Sequence, residues 1–205
     1  MQWFRAFFLS FLFLLGGFAF GRVVFLASYF SLISNEGVSV IFGFWKGLLL
    51  DISTASILMG IPLAFLLAQW FVARNFLFLV LTRYIQCVTV LSGLIFAGEI
   101  VMYDEWMMKL HYKIFVHLSN PSEVFHSAHF LHYIKFGIAF LVMALPILFY
   151  NIYLTPKTIL AKEKFGLVSS IRVWAIRVFT LAGIAGLLII GMRGGWQPIP
   201  INQSH

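Results

Sequence analysis

The sequence predicts an all-α, polytopic membrane protein with five transmembrane helices and an outer interfacial helical segment between helices three and four. Three observations carry this. Hydrophobic residues make up 61% of the chain and charged residues only 10%, well outside the range of a water-soluble domain. The apolar residues fall in runs of roughly 18 or more, the length a helix needs to cross a bilayer. The links between runs carry their Lys and Arg residues unevenly, the signature of loops sorted across a membrane.

The first run extends from Ala6 to Phe30, about 37 Å of helix, interrupted only by Arg22. A cleaved signal peptide is the competing reading, since Arg5 precedes an apolar stretch ending near Gly16, Gly17 and Ala19. The apolar character resumes from Val23 to Ile33, beyond the usual extent of a signal's apolar region, and favours a span. After the polar link Ser34–Gly37, the second run covers residues 40–72 and contains Lys46 and Asp51. Arg74 and Asn75 make the return, and the third run covers 76–101, with Arg83 near its start and Glu99 near its end.

Tyr103 to His132 is the longest polar stretch, and helix four follows over 133–153. A basic connection leads to helix five at 173–192. The remainder, 193–205, holds Pro198 and Pro200, which cannot extend a regular helix, and reads as the start of an extracytoplasmic linker. The spans together form one transmembrane domain over residues 1–192.

Orientation follows from the basic residues. Lys157, Lys162, Lys164, Arg172 and Arg177 crowd the link before helix five, which places that link in the cytoplasm. Counting back puts Arg74 and Arg5 inside as well. The segment from Glu99 to His132, with Glu99, Asp104, Glu105 and Glu123 against Lys109 and Lys113, then lies outside and is net acidic. The expected protein is a multi-pass protein of the cell membrane, with a cytoplasmic N-terminus and an extracytoplasmic C-terminus. The net charge of +7 and pI near 9.8 do not point to nucleic acid, because the basic residues are scattered singly and form no stripe. The lone cysteine, Cys87, has no disulfide partner.

Charges inside a membrane cost about 2.5–3.5 kcal/mol each on insertion scales, so Arg22 and Asp51 need an explanation. Both fall in the outer half of their spans and are expected to pair, either as a salt bridge fixing two helices or in contact with a lipid headgroup. Arg83 and Glu99 lie nearer the interfaces, where snorkelling accounts for them. Small residues at four-residue spacing, Gly17 with Gly21, Gly43 with Gly47 and Ala182 with Gly186, are expected to serve helix packing.

The segment from Asp104 to Leu118 has apolar residues at helical spacing and is expected to lie flat on the outer surface, its Trp and Tyr at headgroup depth. Asn120-Pro121-Ser122-Glu123 reads as a helix start leading into helix four. His126, His129 and His132 recur beside His111 and His117, but no cysteine or spaced carboxylate completes a ligand set. They are read as interfacial histidines, and no metal is expected on this chain. No phosphate-binding loop, dinucleotide fingerprint, nucleophile elbow or HExxH motif occurs, so no catalytic residue is assigned.

Three stretches together resemble the membrane portion of the lipoteichoic acid synthase family, the sulfatase-like phosphoglycerol and phosphoethanolamine transferases. The first is Lys46 to Ser53 (KGLLLDIS). The second runs from Tyr103-Asp104-Glu105-Trp106 through Lys109-Leu110 to Asn120-Pro121-Ser122-Glu123-Val124. The third is Arg193-Gly194-Gly195 with Pro198 to Asn202. The resemblance implies a membrane anchor followed by an extracytoplasmic catalytic domain with a threonine nucleophile and a divalent metal such as manganese. No position of this sequence matches the nucleophile or the metal motifs, so that cofactor is expected only in the catalytic domain. The anchor's partners would be membrane lipids and that domain, with Glu105, Trp106 and Lys109 facing the docking surface or a lipid headgroup. The alternative is a self-contained transporter or channel component, with Arg22, Asp51, Arg83 and Glu99 lining a polar path, or a structural membrane subunit. Five spans without an inverted repeat argue against a transporter.

Overall fold

In a computed structural model of the protein, residues 2–35, 40–68, 74–106, 130–151 and 171–194 are described. They form seven helices and, among themselves, no strand: α1 (Gln2–Ser28), α2 (Phe30–Asn35), α3 (Val40–Leu58), α4 (Gly60–Ala68), α5 (Arg74–Trp106), α6 (Phe130–Phe149) and α7 (Ile171–Met192). Four stretches are long and apolar enough to cross a membrane: Phe4–Ser28, Gly43–Ala68, Leu79–Asp104 and Phe130–Phe149. In α7 the apolar part is shorter, Val178–Met192.

The exterior is as apolar as the interior. Phe130, Phe179, Leu141 and Leu187 are among the most exposed large side chains, and apolar exposure on this scale suits lipid rather than water. The protein is therefore membrane-embedded. Because lipid tails are as apolar as leucine, the helices gain little from hiding apolar surface from one another. Close packing and hydrogen bonds between helices must hold them.

Spans consecutive in sequence run antiparallel, so α1 and α5 are parallel neighbours. The most extensive contact is α5 on α6, α1 bridges α5 to α3, and α7 packs on α3. One end of the bundle, here the rim, holds Ser28, Asp104 and Lys135; the base holds Ala68, Arg74 and Asn151. A buried cluster around Phe25, Ala97, Ile100 and Ala139 lies beneath the rim. A larger one, including Leu14, Ala55, Met59, Leu66 and Ile85, fills the middle and the base.

Three differences from the sequence reading have physical causes. The second span is two helices meeting at Met59, because Pro62 lacks the N–H that Leu58 O would accept. The chain stays near-helical across the break through Met59 N to Ala55 O, 2.9 Å, and Leu63 N to Met59 O, 3.0 Å. The third span does not end at Val101. Nothing between residues 76 and 106 breaks a helix, and α5 continues to Trp106, about 50 Å against a hydrocarbon core of about 30 Å. Asp104, Glu105 and Trp106 thus extend this span instead of opening a flat interfacial helix; the rest of that predicted helix, residues 107–118, and the predicted helix start at Asn120-Pro121-Ser122-Glu123 lie outside the described residues.

The third difference concerns the paired small residues. A Cβ on Gly17, Gly43 or Gly186 would meet nothing within 4 Å, so none of these three permits a close helix approach. Gly21 does: a Cβ there would come 2.9 Å from Met143 Cε and from the Phe96 ring, sealing α1 against α5 and α6.

Candidate functional site

Arg22 of α1 and Asp51 of α3 form a fork, with Nη2 donating to Oδ1 at 2.6 Å and Nε to Oδ2 at 3.3 Å. Arg22 Nη2 also donates to the backbone carbonyl of Gly47 at 2.9 Å. Gly47 and Asp51 stand one helical turn apart on the same face of α3. A Cβ at Gly47 would collide with the Arg22 guanidinium, so the glycine creates the room in which the fork closes. The Asp51 side chain is only 9% exposed and the Arg22 side chain 19%, so each neutralises a charge that lipid cannot solvate.

Two residues beyond Asp51, Ser53 Oγ donates to Met192 O at 2.8 Å, tying α3 to the last residue of α7. Just past this point Gly194 adopts φ 75°, where side chains are disfavoured, and its N–H returns to Gly191 O at 2.8 Å. This turn ends α7 against α3. The Lys46–Ser53 stretch and the Arg193-Gly194 turn, far apart in sequence, therefore meet in space.

The second cluster lies at the rim. The Tyr29 hydroxyl, between α1 and α2, donates to Ile100 O and lies 2.8 Å from Asp104 Oδ1. Lys135 Nζ of α6 donates to Asp104 Oδ2 at 2.5 Å. Phe25, Tyr29 and Tyr103 pack beside them in tilted and edge-to-face pairs, with ring centroids 4.6–5.2 Å apart. Beneath this network α1, α5 and α6 line an open-sided cavity of about 390 Å³. Its polar margin is Ser28, Tyr29, Asp104 and Lys135; its walls include Val24, Ile100, Ile138 and Val142.

Glu105 and Trp106 are the last two residues of α5, on the turn that carries Asp104. Lys109, His126 and His129, with His111 and His117, lie outside the described residues. His132 is half-buried on α6, one turn before Lys135, and acts electrostatically on Asp104. Among the described residues no three His, Cys, Asp or Glu side chains gather as a metal ion would require. Arg83 is exposed and donates to Gln86 Oε1 at 3.2 Å; Glu99 lies about 24 Å further along the same helix. These two are too far apart along α5 to meet each other.

Sequence reasoning missed Tyr29, Ser53 and Lys135 as site residues. Lys135 had a signal, a lone cation two residues into an apolar run, which by the logic applied to Arg22 demanded a partner. Tyr29 had none, since a tyrosine near a span end is ordinary interfacial anchoring. No protein-family model, curated protein or solved structure matches this chain.

Proposed function

We propose that this chain is the membrane anchor of a sulfatase-like transferase of the lipoteichoic acid synthase type, which moves phosphoglycerol or phosphoethanolamine groups from lipid-linked substrates at the outer face of the cell membrane. In this reading the N-terminus is cytoplasmic, the rim faces outward, and the catalytic domain follows Gly194 through the linker.

The observation that carries the reading is the Ser53–Met192 hydrogen bond together with the Gly194 turn. Two of the three stretches that resemble the family, Lys46–Ser53 and the one beginning at Arg193, are joined there, and the second begins at Tyr103 beside the rim network. Residues that matter only to a helix's own insertion have no reason to converge. Residues that fix where the chain leaves the membrane do, because a domain attached beyond Gly194 inherits its position from the way α7 is held on α3.

The test is the native product containing this sequence. A product much heavier than 23.4 kDa, carrying an extracytoplasmic domain and showing manganese-dependent transfer from phosphatidylglycerol or phosphatidylethanolamine, is the expected result. A native product ending at His205, or reporter fusions that place residue 205 in the cytoplasm, would overturn it.

A further inference from the structure

The cavity between α1, α5 and α6 is not explained by anchoring, which a sealed bundle would serve as well. Its position is set by the helices around it. In α5, residues 84–98 between Arg83 and Glu99 carry no charge, which marks the hydrocarbon zone. Asp104 lies about 7 Å beyond Glu99, at headgroup depth. The cavity hangs from that level into the apolar zone: Lys135 at its margin and Val142 in its wall are about 10 Å apart along α6. Below it the seam is shut where Gly21 meets Met143 and Phe96.

Its chemistry is divided in the same way. The upper margin holds one carboxylate and one ammonium, and the walls are aliphatic. Ile138, one of the wall residues, is 59% exposed, so the cavity borders the surrounding lipid. The Lys135 side chain is 55% exposed, and an ion pair this open contributes little on its own, so exchanging its partners costs little. An ammonium has three donors and a carboxylate about four lone-pair sites, enough for both to accept an additional partner.

We propose that this cavity holds one phospholipid drawn from the adjoining leaflet, with its phosphate on the Lys135 ammonium and a headgroup hydroxyl or ammonium donating to Asp104. The upper part of one acyl chain lies between Ile100 on α5 and Ile138 on α6. A phospholipid fits where other occupants do not. A fatty acid would set its carboxylate against Asp104 with nothing to donate, and a free phosphate would leave the aliphatic walls unused. A volume of about 390 Å³ falls within the range of small-molecule sites, and it suits a headgroup with part of a chain, the remainder lying in the bilayer. The inference rests on the membrane embedding of the bundle and is independent of the transferase reading.

The experiment is native mass spectrometry of the full chain released from nonionic detergent, titrated with palmitoyl-oleoyl-phosphatidylglycerol. One lipid should remain bound. The diacylglycerol with the same tails, which lacks the phosphate, should bind at least about tenfold more weakly, as should Lys135→Gln, each losing a charge-assisted contact. Ile138→Trp, which leaves the ion pair intact and narrows the wall, should also weaken binding. Ile189→Trp, equally exposed on α7, should not. Unchanged retention in both Lys135→Gln and Ile138→Trp would overturn the proposal, as would equal retention of the diacylglycerol. Full displacement by glycerol phosphate would identify a soluble-anion site instead. The readout involves no transfer chemistry, so it fails or succeeds separately from the anchor reading.

Discussion

Pro62 and Tyr84 are coupled through a single carbonyl. Pro62 cannot donate to Leu58 O as an ordinary helical residue would, and the Tyr84 hydroxyl of α5 donates to that oxygen at 2.7 Å. In a bilayer an unmet carbonyl has no water to turn to, so a proline in a spanning helix needs a compensating donor from a neighbour. The kink between α3 and α4 and the packing of α4 against α5 thus have one cause.

Removing the donor should expose that coupling. Tyr84→Phe keeps the ring and loses the hydroxyl, at a cost of about 1 kcal/mol in an unfolding titration from mixed micelles, the scale measured for hydrogen bonds between membrane helices. In a Pro62→Ala background, residue 62 regains an N–H for Leu58 O, and the same Tyr84→Phe change should cost less. Equal costs in the two backgrounds would mean that the hydroxyl serves something other than the proline's carbonyl.

The Arg22–Asp51 pair predicts a different pattern. Asp51→Asn leaves a guanidinium uncompensated among apolar side chains and should destabilise the bundle by about 3 kcal/mol. The double substitution Arg22→Leu with Asp51→Leu removes both charges and should be less harmful than either single loss. Exchanging the two charges should recover only part of the stability, because the Gly47 carbonyl and the space above it are shaped for an arginine arriving from α1. Gly47→Ala should be nearly as damaging as losing a charge, since its Cβ takes the guanidinium's place. Chemical denaturation of the four variants checks this, and a Gly47→Ala protein as stable as the parent would refute the assigned role of the glycine.

How far these relationships were legible differs residue by residue. That Arg22 and Asp51 stand out could be read directly, because an intramembrane charge is expensive wherever it occurs and two opposite charges at similar depth suggest each other. That Gly47 belongs with them could not, since its spacing from Gly43 also fits helix packing and only the position of the guanidinium decides between the two. The apolar runs set the number and rough placement of the spans, but not their neighbours: no pattern in α7 says that it packs on α3. The extension of α5 to Trp106 was hidden because Tyr103, Asp104 and Glu105 are polar, and polarity in a membrane protein reads as a loop even where, as at Asp104, the side chain is held by Tyr29 and Lys135. Pro62 was visible in the sequence. Its compensation, 22 residues away at Tyr84, was not.

The turn at Gly194 should be sensitive to side-chain size and backbone preference alone. With φ at 75°, Gly194→Ala should cost about 1 kcal/mol, and Gly194→Asn less, because asparagine tolerates the left-handed region. Loss should appear first as fraying of the last turn of α7, detectable as faster amide exchange at residues 189–192. Ser53→Ala, which removes the bond to Met192 O, should loosen the same turn while leaving the Gly194 conformation in place. If Gly194→Ala left exchange in this turn unchanged, the turn would not be what ends the helix.

The proposed docking role of the α5 terminus makes the most demanding prediction, because its readout is the activity of the proposed full-length transferase. Glu105 and Trp106 continue α5 past the rim, on the turn that also presents Asp104, and Lys109 follows them in sequence. If an attached catalytic domain or its lipid substrate rests on this end of the bundle, alanine at Glu105, Trp106 and Lys109 together should lower transfer activity of the full-length enzyme by about tenfold, the loss of one good contact. The protein's abundance and its unfolding midpoint should be unchanged. The control is a triple alanine substitution at Phe8, Leu12 and Phe179, exposed apolar residues away from the rim, which should leave the activity unaffected. An effect confined to activity would tie the α5 terminus to the reaction. Parental activity in the Glu105, Trp106 and Lys109 variant would show that the catalytic domain works without touching this surface, and the anchor's contribution would then be to hold the chain at the membrane through α7 and its turn.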